Sequence, residues 1–231
     1  MSSDRPSGDP SSGPETGREQ AASEPDASPP RPDLSLASVA KSRGAELLDA
    51  LERHSPGARD HADGTAAYGF ATAVELGLER DHAEATREAA RLHEVGGIYL
   101  PSSVLSKPRE ERSPEEQALV QSHHARGAEL ARGAGIPDAV CDWIGATGER
   151  FDGRGPAGLA GERIPLEARI IRVACACQAS LGARLASQPA HSHRGSAIAQ
   201  LRGATGRELD PRVVEALAIV LDRVAATPSR A

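Results

Sequence analysis

The sequence predicts an all-α fold, and three features of its apolar pattern carry this prediction. Apolar residues recur at helical spacing through nearly all of residues 34–226. No segment alternates apolar and polar residues for long enough to predict a strand. Several helix starts and stops are marked by capping residues, prolines and glycines. We therefore expect one helical bundle over these residues, which are numerous enough to bury a core.

The first three predicted helices cover residues 35–54, 58–77 and 80–94. Leucines at helical spacing give the first helix one apolar face. The second helix ends at Gly77 and the third before Gly96, because glycine favours the end of a helix over its interior.

Five further helices are predicted at residues 114–132, 137–148, 166–187, 194–203 and 211–225. The first of these begins with a capping-box pattern, in which Ser113 precedes Pro114 and Glu116 stands at the third helical position. The last begins with Asp210-Pro211, a capping residue followed by a residue that suits the first helical turn.

Residues 1–33 have a different composition from the rest of the chain. They contain seven of the 17 prolines and no Val, Ile, Phe, Tyr or Trp. Such a segment buries too little apolar surface to offset its conformational entropy, so we predict a disordered tail before a domain at 34–226. An inert tail is the simplest interpretation, and a docking or phosphorylation role is the alternative.

Composition excludes several classes of function. The net charge is −6 and no basic block occurs, so we expect no nucleic-acid partner. No apolar run is long enough to cross a membrane, and the first ten residues lack the apolar core of a secretory signal. The 3 cysteines are too few for a disulfide framework. We therefore expect a cytoplasmic protein.

Histidines on separate helices are the first candidates for chemistry. His61, His93 and His123 lie on three different predicted helices, and Glu94 follows His93 directly. A metal site in a helical bundle needs imidazoles and carboxylates that point inward from several helices. The spacing allows a shared metal site, while each histidine taken alone also fits a surface or core position.

A Gly-rich loop, residues 149–165, connects the fifth and sixth predicted helices. A long ordered loop in a compact domain is usually functional, and glycine N–H groups can cradle phosphate. No Lys-Ser/Thr pair follows the glycines, which excludes a nucleotide P-loop. Asp152 also fits a turn role, and Arg169 beyond the loop fits either a structural ion pair or a phosphate contact. The phosphate or loop candidates are Asp152, Gly153, Gly155, Pro156 and Arg169.

Four sequence motifs occur in a recognisable order. Residues 92–108, LHEVGGIYLPSSVLSKP, resemble the HD signature of the HD-GYP family of the HD phosphohydrolase superfamily, and residues 123–130, HHARGAEL, resemble its next helix motif. Residues 149–171, ERFDGRGPAGLAGERIPLEARII, and residues 206–214, GRELDPRVV, resemble two later motifs. The resemblance covers about residues 58–220, in order and with matching gaps.

This resemblance implies a bundle of helices and a role in bacterial second-messenger signalling. Active members of the family hydrolyse cyclic di-GMP at a centre of two or three metals, usually iron or manganese. The metals assist attack of hydroxide on the phosphodiester. Carried over residue by residue, His93 matches the first residue of the HD pair and Glu94 replaces its aspartate. His123 matches the helix ligand, and His61 falls where the first-helix ligand is expected.

Other family positions are substituted in this sequence. Gly97 replaces a phosphate-directed lysine, Thr147 and Gly148 replace a pair of histidine ligands, and Cys175 and Gln178 replace two aspartates. The loop is also one residue shorter than the family pattern and lacks the tyrosine of the GYP motif.

Three cysteines and one histidine near these motifs are expected to lie outside the site. Cys175 and Cys177 are two residues apart on a helix, so they point about 200° from each other and cannot both reach one site. We interpret both, and Cys141, as small buried residues. His124 is expected to face away from His123 and outward, since adjacent helical residues diverge by about 100°.

The sequence therefore favours a degenerate domain that acts as a pseudo-phosphodiesterase with a regulatory or binding role. It would bind cyclic di-GMP or a signalling protein and hold no metal, or at most a single divalent iron, manganese or zinc ion. The alternative is an active metal-dependent phosphohydrolase with an altered site. That enzyme would use the four remaining ligands, with Glu149 or Asp152 as an extra ligand or base.

Overall fold

Helices make up most of the described chain. The computed structural model describes residues 34–105, 107–185 and 193–226, and within these ranges ten α-helices and no strand occur. The helices are α1 (Leu34–His54), α2 (Ala58–Glu75), α3 (Arg80–Leu92), α4 (Ser102–Leu105), α5 (Pro114–Gln121), α6 (His123–Gly133), α7 (Asp138–Ala146), α8 (Leu166–Leu185), α9 (His193–Gly203) and α10 (Pro211–Ala226). The all-α prediction is confirmed, and the predicted tail at 1–33 lies outside the described residues.

Short 3₁₀ turns connect some of the helices. They are found at Val95–Tyr99, Arg109–Glu111 and Gly161–Arg163. These turns and the four-residue helix α4 were not predicted, because such short elements leave no periodic pattern in the sequence. In the ranges that the structure describes, no helix is both long and apolar enough to span a membrane.

The helix predicted at 114–132 is divided at Ser122, which is the main difference from the predicted elements. The hydroxyl of Ser122 donates a hydrogen bond to the carbonyl of Leu119 at 2.8 Å. A serine that bonds back to the preceding turn tends to bend a helix. The break places His123 and His124 in the first turn of a new helix, α6.

The capping box predicted before α5 is present. The side chain of Ser113 accepts a hydrogen bond from the backbone N–H of Glu116, and Glu116 accepts one from the backbone N–H of Ser113. Lys107 adds an ion pair to Glu116, with 2.7 Å between Nζ and Oε1. This arrangement fixes where the chain enters α5.

Helix α2 lies at the centre of the bundle and packs against both α3 and α8. Three of its alanines are fully or almost fully buried, with Ala62 and Ala66 in one apolar cluster and Ala73 in a second. Small side chains on α2 let the neighbouring helices approach closely. Residues near the start of α2 therefore come close to residues of α3 and α8.

Helix α6 meets the 3₁₀ turn after α3 through direct backbone contact. A Cβ atom on Gly96 would overlap the carbonyl oxygen of His123, and one on Gly127 would lie 2.9 Å from the backbone nitrogen of Gly96. Only glycine fits at this crossing. The contact fixes the distance between the end of α3 and the start of α6.

We predict that Gly96→Ala destabilises the protein by about 3 kcal/mol or more, because the added methyl group meets backbone that cannot yield. The free energy of unfolding in urea measures this loss. Gly133→Ala is the matched control, since a Cβ atom there meets nothing within 4 Å. That control should be neutral or more stable by up to about 1 kcal/mol. Equal stability of Gly96→Ala and the parent protein would contradict the assigned backbone contact.

Candidate metal centre

Four side chains from three parts of the bundle converge near the start of α2. His61 comes from α2, His93 and Glu94 directly follow the last residue of α3, and Cys175 comes from α8. One ligand atom from each of these four residues lies within 4.8 Å of the others. Three of the four were candidates from the sequence, and Cys175 was not.

A second group shares Glu94 with the first. It consists of Glu94, His123 and His124, whose ligand atoms also lie within 4.8 Å of one another. We call the six residues of both groups the ligand cluster: His61, His93, Glu94, His123, His124 and Cys175. The shared carboxylate makes the two groups neighbours.

Backbone carbonyls set the orientation of two imidazoles in the ligand cluster. Nδ1 of His93 donates to the carbonyl of Ala90 at 2.7 Å, and Nδ1 of His123 donates to that of Val120 at 2.5 Å. Each Nε2 is therefore turned toward Glu94, at 3.4 Å for His93 and 3.0 Å for His123. Both Nε2 atoms are buried, and neither makes a hydrogen bond of favourable geometry, so the Glu94 carboxylate is the polar group that each one faces.

This arrangement fits a divalent metal ion. An imidazole lone pair that faces a carboxylate oxygen needs a proton or a cation between the two atoms. Ligands about 2.1 Å from one ion at a tetrahedral angle stand about 3.4 Å apart, which is the distance between Nε2 of His93 and Oε1 of Glu94. Metal-binding histidines commonly donate their other ring N–H to a carbonyl, as both do here. The donor set of imidazole, carboxylate and thiol suits transition metals.

His124 lies inside the ligand cluster, so the prediction that it faces outward is wrong. Its side chain is 13% exposed, and its ring centroid is 3.8 Å from that of His123. The space beside it depends on Gly148, where a Cβ atom would lie 3.0 Å from Nδ1 of His124. Because Gly148 has no side chain, the imidazole of His124 fits beside it.

The sequence was interpreted as placing Cys175 among small buried residues, but the structure places it in the ligand cluster. Its Sγ atom lies 3.5 Å from Nε2 of His61. Cys177 belongs to an apolar core cluster, and Cys141 is fully buried with its thiol 3.4 Å from the carbonyl of Ile136. The helical argument excluded a shared site for both α8 cysteines, but it did not exclude Cys175 alone.

Charges within the ligand cluster shift the pKa values of its members. Burial alone would lower the pKa of His93, but the adjacent Cys175 and Glu94 raise it well above its ordinary value. Burial would raise the pKa of Glu94, yet His123 and His93 hold it well below its usual range. Burial would also raise the pKa of Cys175, but the charge of His93 lowers it to about 6. Burial and His123 lower the pKa of His124 well below normal.

The remaining substituted positions contribute no ligand atom to the cluster. The hydroxyl of Thr147 donates to the carbonyl of Trp143 at 2.9 Å. A Cβ atom on Gly97 would lie 3.5 Å from Leu51, so this position faces α1, and the side chain of Gln178 covers Gly64. These positions therefore supply neither the lysine cation nor the histidine pair that the family resemblance implies.

Glu149 and Asp152 are engaged within the Gly-rich loop, so neither serves as the extra ligand or base of the alternative reading. Glu149 is 3% exposed and accepts hydrogen bonds from the backbone N–H groups of Ala157 at 2.6 Å and Leu159 at 3.0 Å. Asp152 forms an ion pair with Arg150 at 2.8 Å. These contacts hold the loop in a fixed shape.

The other loop candidates have structural surroundings. Gly153 has a φ of 79°, a left-handed conformation that favours glycine. A Cβ atom on Gly155 would lie 2.6 Å from Oε2 of Glu149. Arg169 pairs with the buried carboxylate of Asp210 at 2.6 Å, away from the ligand cluster. Pro156 is exposed at the edge of a pocket that it lines together with His124.

Two pockets open beside the ligand cluster. The first is lined by His123, His124 and four arginines: Arg112, Arg150, Arg154 and Arg172. The second is lined by Glu94, Cys175 and Thr147, and it shares His124, Arg172 and the acidic Glu208 with the first. The chain has a net charge of −6, so this concentration of arginines is a local exception. It favours an anionic ligand next to the ligand cluster.

Comparison with known proteins decides the family. The sequence profile of the HD domain family matches residues 46–213. The chain belongs to the HD domain family. Its resemblance to the HD-GYP branch is confirmed by curated relatives that are named cyclic di-GMP phosphodiesterases.

Two relatives and one solved structure illustrate what this HD domain is similar to. The cyclic di-GMP phosphodiesterase response regulator RpfG of Xanthomonas campestris is 40% identical over 63% of this chain and 38% of the relative. A cyclic di-GMP phosphodiesterase of Vibrio cholerae is 32% identical over 84% of this chain and 40% of the relative. The chain thus spans less than half the length of these relatives.

The solved structure is a cyclic GMP-AMP specific phosphodiesterase of Vibrio cholerae. It matches with a TM-score of 0.59 at 22% identity, over 81% of this chain and 49% of that one. At this identity the match supports the fold of the HD domain.

We predict that Glu149→Gln loosens the Gly-rich loop, because an amide NH₂ cannot accept a hydrogen bond from a backbone N–H. The expected loss is about 1–3 kcal/mol in the free energy of unfolding. Trypsin should also cleave the folded variant faster after the loop arginines. Glu162→Gln, an exposed residue of the same loop, is the control and should match the parent. Unchanged stability and cleavage of Glu149→Gln would show that Glu149 does not hold the loop.

Proposed function

We propose that this HD domain is a metal-dependent phosphodiesterase that acts on a cyclic dinucleotide with an altered set of metal ligands. The observation that carries the proposal is the ligand cluster. Its two groups share Glu94, and the unpartnered Nε2 atoms of His93 and His123 face that carboxylate. Without a metal ion, each of these buried Nε2 atoms must carry a proton to satisfy the facing carboxylate, and a divalent ion can take the place of these protons.

The residues of the ligand cluster would hold the metal in fixed positions. When bound, a divalent ion polarises a phosphoryl oxygen and lowers the pKa of a bound water. The carbonyls of Ala90 and Val120 keep His93 and His123 in the tautomer that presents Nε2. Glu94 presents one oxygen to each of these histidines. These side chains therefore need little rearrangement when an ion binds.

Arginines beside the ligand cluster are suited to bind the phosphates of the substrate. Arg150 is held by Asp152 and by Glu208, each at 2.8 Å, and it lines the first pocket. Arg172 lines both pockets, and its Nε donates to the carbonyl of Glu208 at 3.2 Å. Cations that are already oriented stabilise a phosphoryl group without reorganisation.

A second candidate function is binding of a cyclic dinucleotide without hydrolysis, in a regulatory role. It is favoured by the substituted positions, since Gly97, Thr147 and Gly148 supply neither the lysine nor the histidine pair that the family resemblance implies. The inward position of His124 favours the first candidate, because it places an imidazole beside Gly148, where the family resemblance implies a histidine ligand.

Hydrolysis of cyclic di-GMP and of cyclic GMP-AMP by protein loaded with manganese, iron or zinc distinguishes the two candidates. We predict turnover with at least one of these metals and a loss of about 100-fold or more in His93→Ala, which removes a metal ligand. His54→Gln is the control, because its amide can still donate to the carbonyl of Leu100 as His54 does. Binding of either nucleotide with no turnover under any metal would favour the regulatory candidate.

Metal binding should weaken as the pH falls. Burial would lower the pKa of His93 and of His123, but neighbouring negative charges raise both above the ordinary value. An incoming ion must therefore displace the protons of these histidines. We predict that the apparent zinc affinity drops by roughly ten- to a hundredfold for each pH unit lowered below these pKa values. Competition with a zinc-binding dye between about pH 6 and 8 measures this slope. An affinity independent of pH in this range would show that no histidine proton is displaced.

A further inference from the structure

Cys175 stands in the ligand cluster at a distance that suits coordination. Its Sγ atom is 3.5 Å from Nε2 of His61, and both belong to the group completed by His93 and Glu94. A metal–sulfur distance of about 2.3 Å and a metal–nitrogen distance of about 2.05 Å at a tetrahedral angle place the two atoms about 3.5 Å apart. The fully buried Nε2 of His93 has no hydrogen-bond partner in the same group.

We propose that Cys175 binds the metal directly through its sulfur, so that this HD domain has one thiolate-ligated metal position. The inference deepens the proposed function, because it assumes that the ligand cluster binds a metal. The ligands of this position would be His61, His93, Glu94 and Cys175. The neighbouring group of Glu94, His123 and His124 offers only nitrogen and oxygen atoms.

The two positions therefore differ in the metals they prefer. Sulfur is a soft ligand that favours zinc, cobalt, iron or cadmium over magnesium and manganese. Imidazole and carboxylate ligands accept a wider range of divalent ions. A cysteine in place of an aspartate thus shifts one position toward thiophilic metals and leaves the other unchanged.

The cysteine content of the chain makes this proposal directly testable. The chain has 3 cysteines, and Cys141 and Cys177 are fully buried in apolar clusters. A thiolate signal from a bound metal would therefore come from Cys175. Cys177→Ser is a matched control, since it lies on the same helix and leaves the ligand cluster intact.

The experiment is a titration of the metal-free protein with Co²⁺, followed by absorption spectroscopy. Thiolate-bound Co²⁺ gives an intense near-ultraviolet charge-transfer band, whereas imidazole and carboxylate ligands give only weak visible bands. We expect the charge-transfer band in the parent and in Cys177→Ser. It should be absent in Cys175→Ser, while the visible bands of Co²⁺ on the remaining ligands persist. Circular dichroism establishes that each variant is folded.

A second measurement avoids dependence on the serine variant. The cadmium-113 NMR shift of the Cd²⁺-loaded parent reports directly whether sulfur binds the metal. In Cys175→Asp, the preference for Cd²⁺ over Mn²⁺ should fall by about tenfold or more, since even outer-shell changes alter metal affinity by roughly 10- to 100-fold. A retained preference would contradict sulfur ligation.

The outcomes separate this inference from the proposed function. Co²⁺ binding to the parent without a charge-transfer band overturns the role of Cys175 and leaves a metal-dependent phosphodiesterase in place. A charge-transfer band that survives in Cys175→Ser also overturns it. Failure of the parent to bind Co²⁺, Cd²⁺ or Zn²⁺ overturns both the inference and the proposed function.

Discussion

Glu94 is the side chain on which both parts of the site depend. One oxygen lies 3.4 Å from Nε2 of His93 and the other lies 3.0 Å from Nε2 of His123. Its carboxylate balances the positive charge that these buried imidazoles would otherwise carry alone. The side chain is one methylene longer than the aspartate expected from the family resemblance. With this length it lies close to the imidazoles of both His93 and His123. The contact of Gly96 with Gly127 fixes the spacing of the two segments that carry them.

Substitutions around this carboxylate are linked to each other in space. Gly148 has no side chain to collide with His124, and His124 occupies the space beside it. Cys175 stands where the resemblance places an aspartate, and its sulfur reaches His61. The changes that suggested lost chemistry in the sequence thus coincide with new donor atoms at the same place. These coincident changes are the basis on which we propose an altered metal site.

The sequence was sufficient for the helical architecture and for four of the six residues in the ligand cluster. Periodicity and capping residues predicted the long helices, and motif order identified His61, His93, Glu94 and His123. It was not sufficient for His124, because the break at Ser122 depends on a serine hydroxyl that bonds to the preceding turn. Nor did it identify Cys175, whose role depends on how closely the small residues of α2 let α8 approach, which no local pattern records.

The metal content of the protein tests the central claim most directly. Protein purified without chelator, dialysed against zinc, iron or manganese and freed of excess ion, would be examined by elemental analysis beside Glu94→Ala. We predict about one to two metal ions per chain in the parent, and a near-complete loss in the variant, because Glu94 is common to both ligand groups. A folded parent that retains no metal, or a Glu94→Ala variant that retains as much as the parent, would contradict a metal centre built on Glu94.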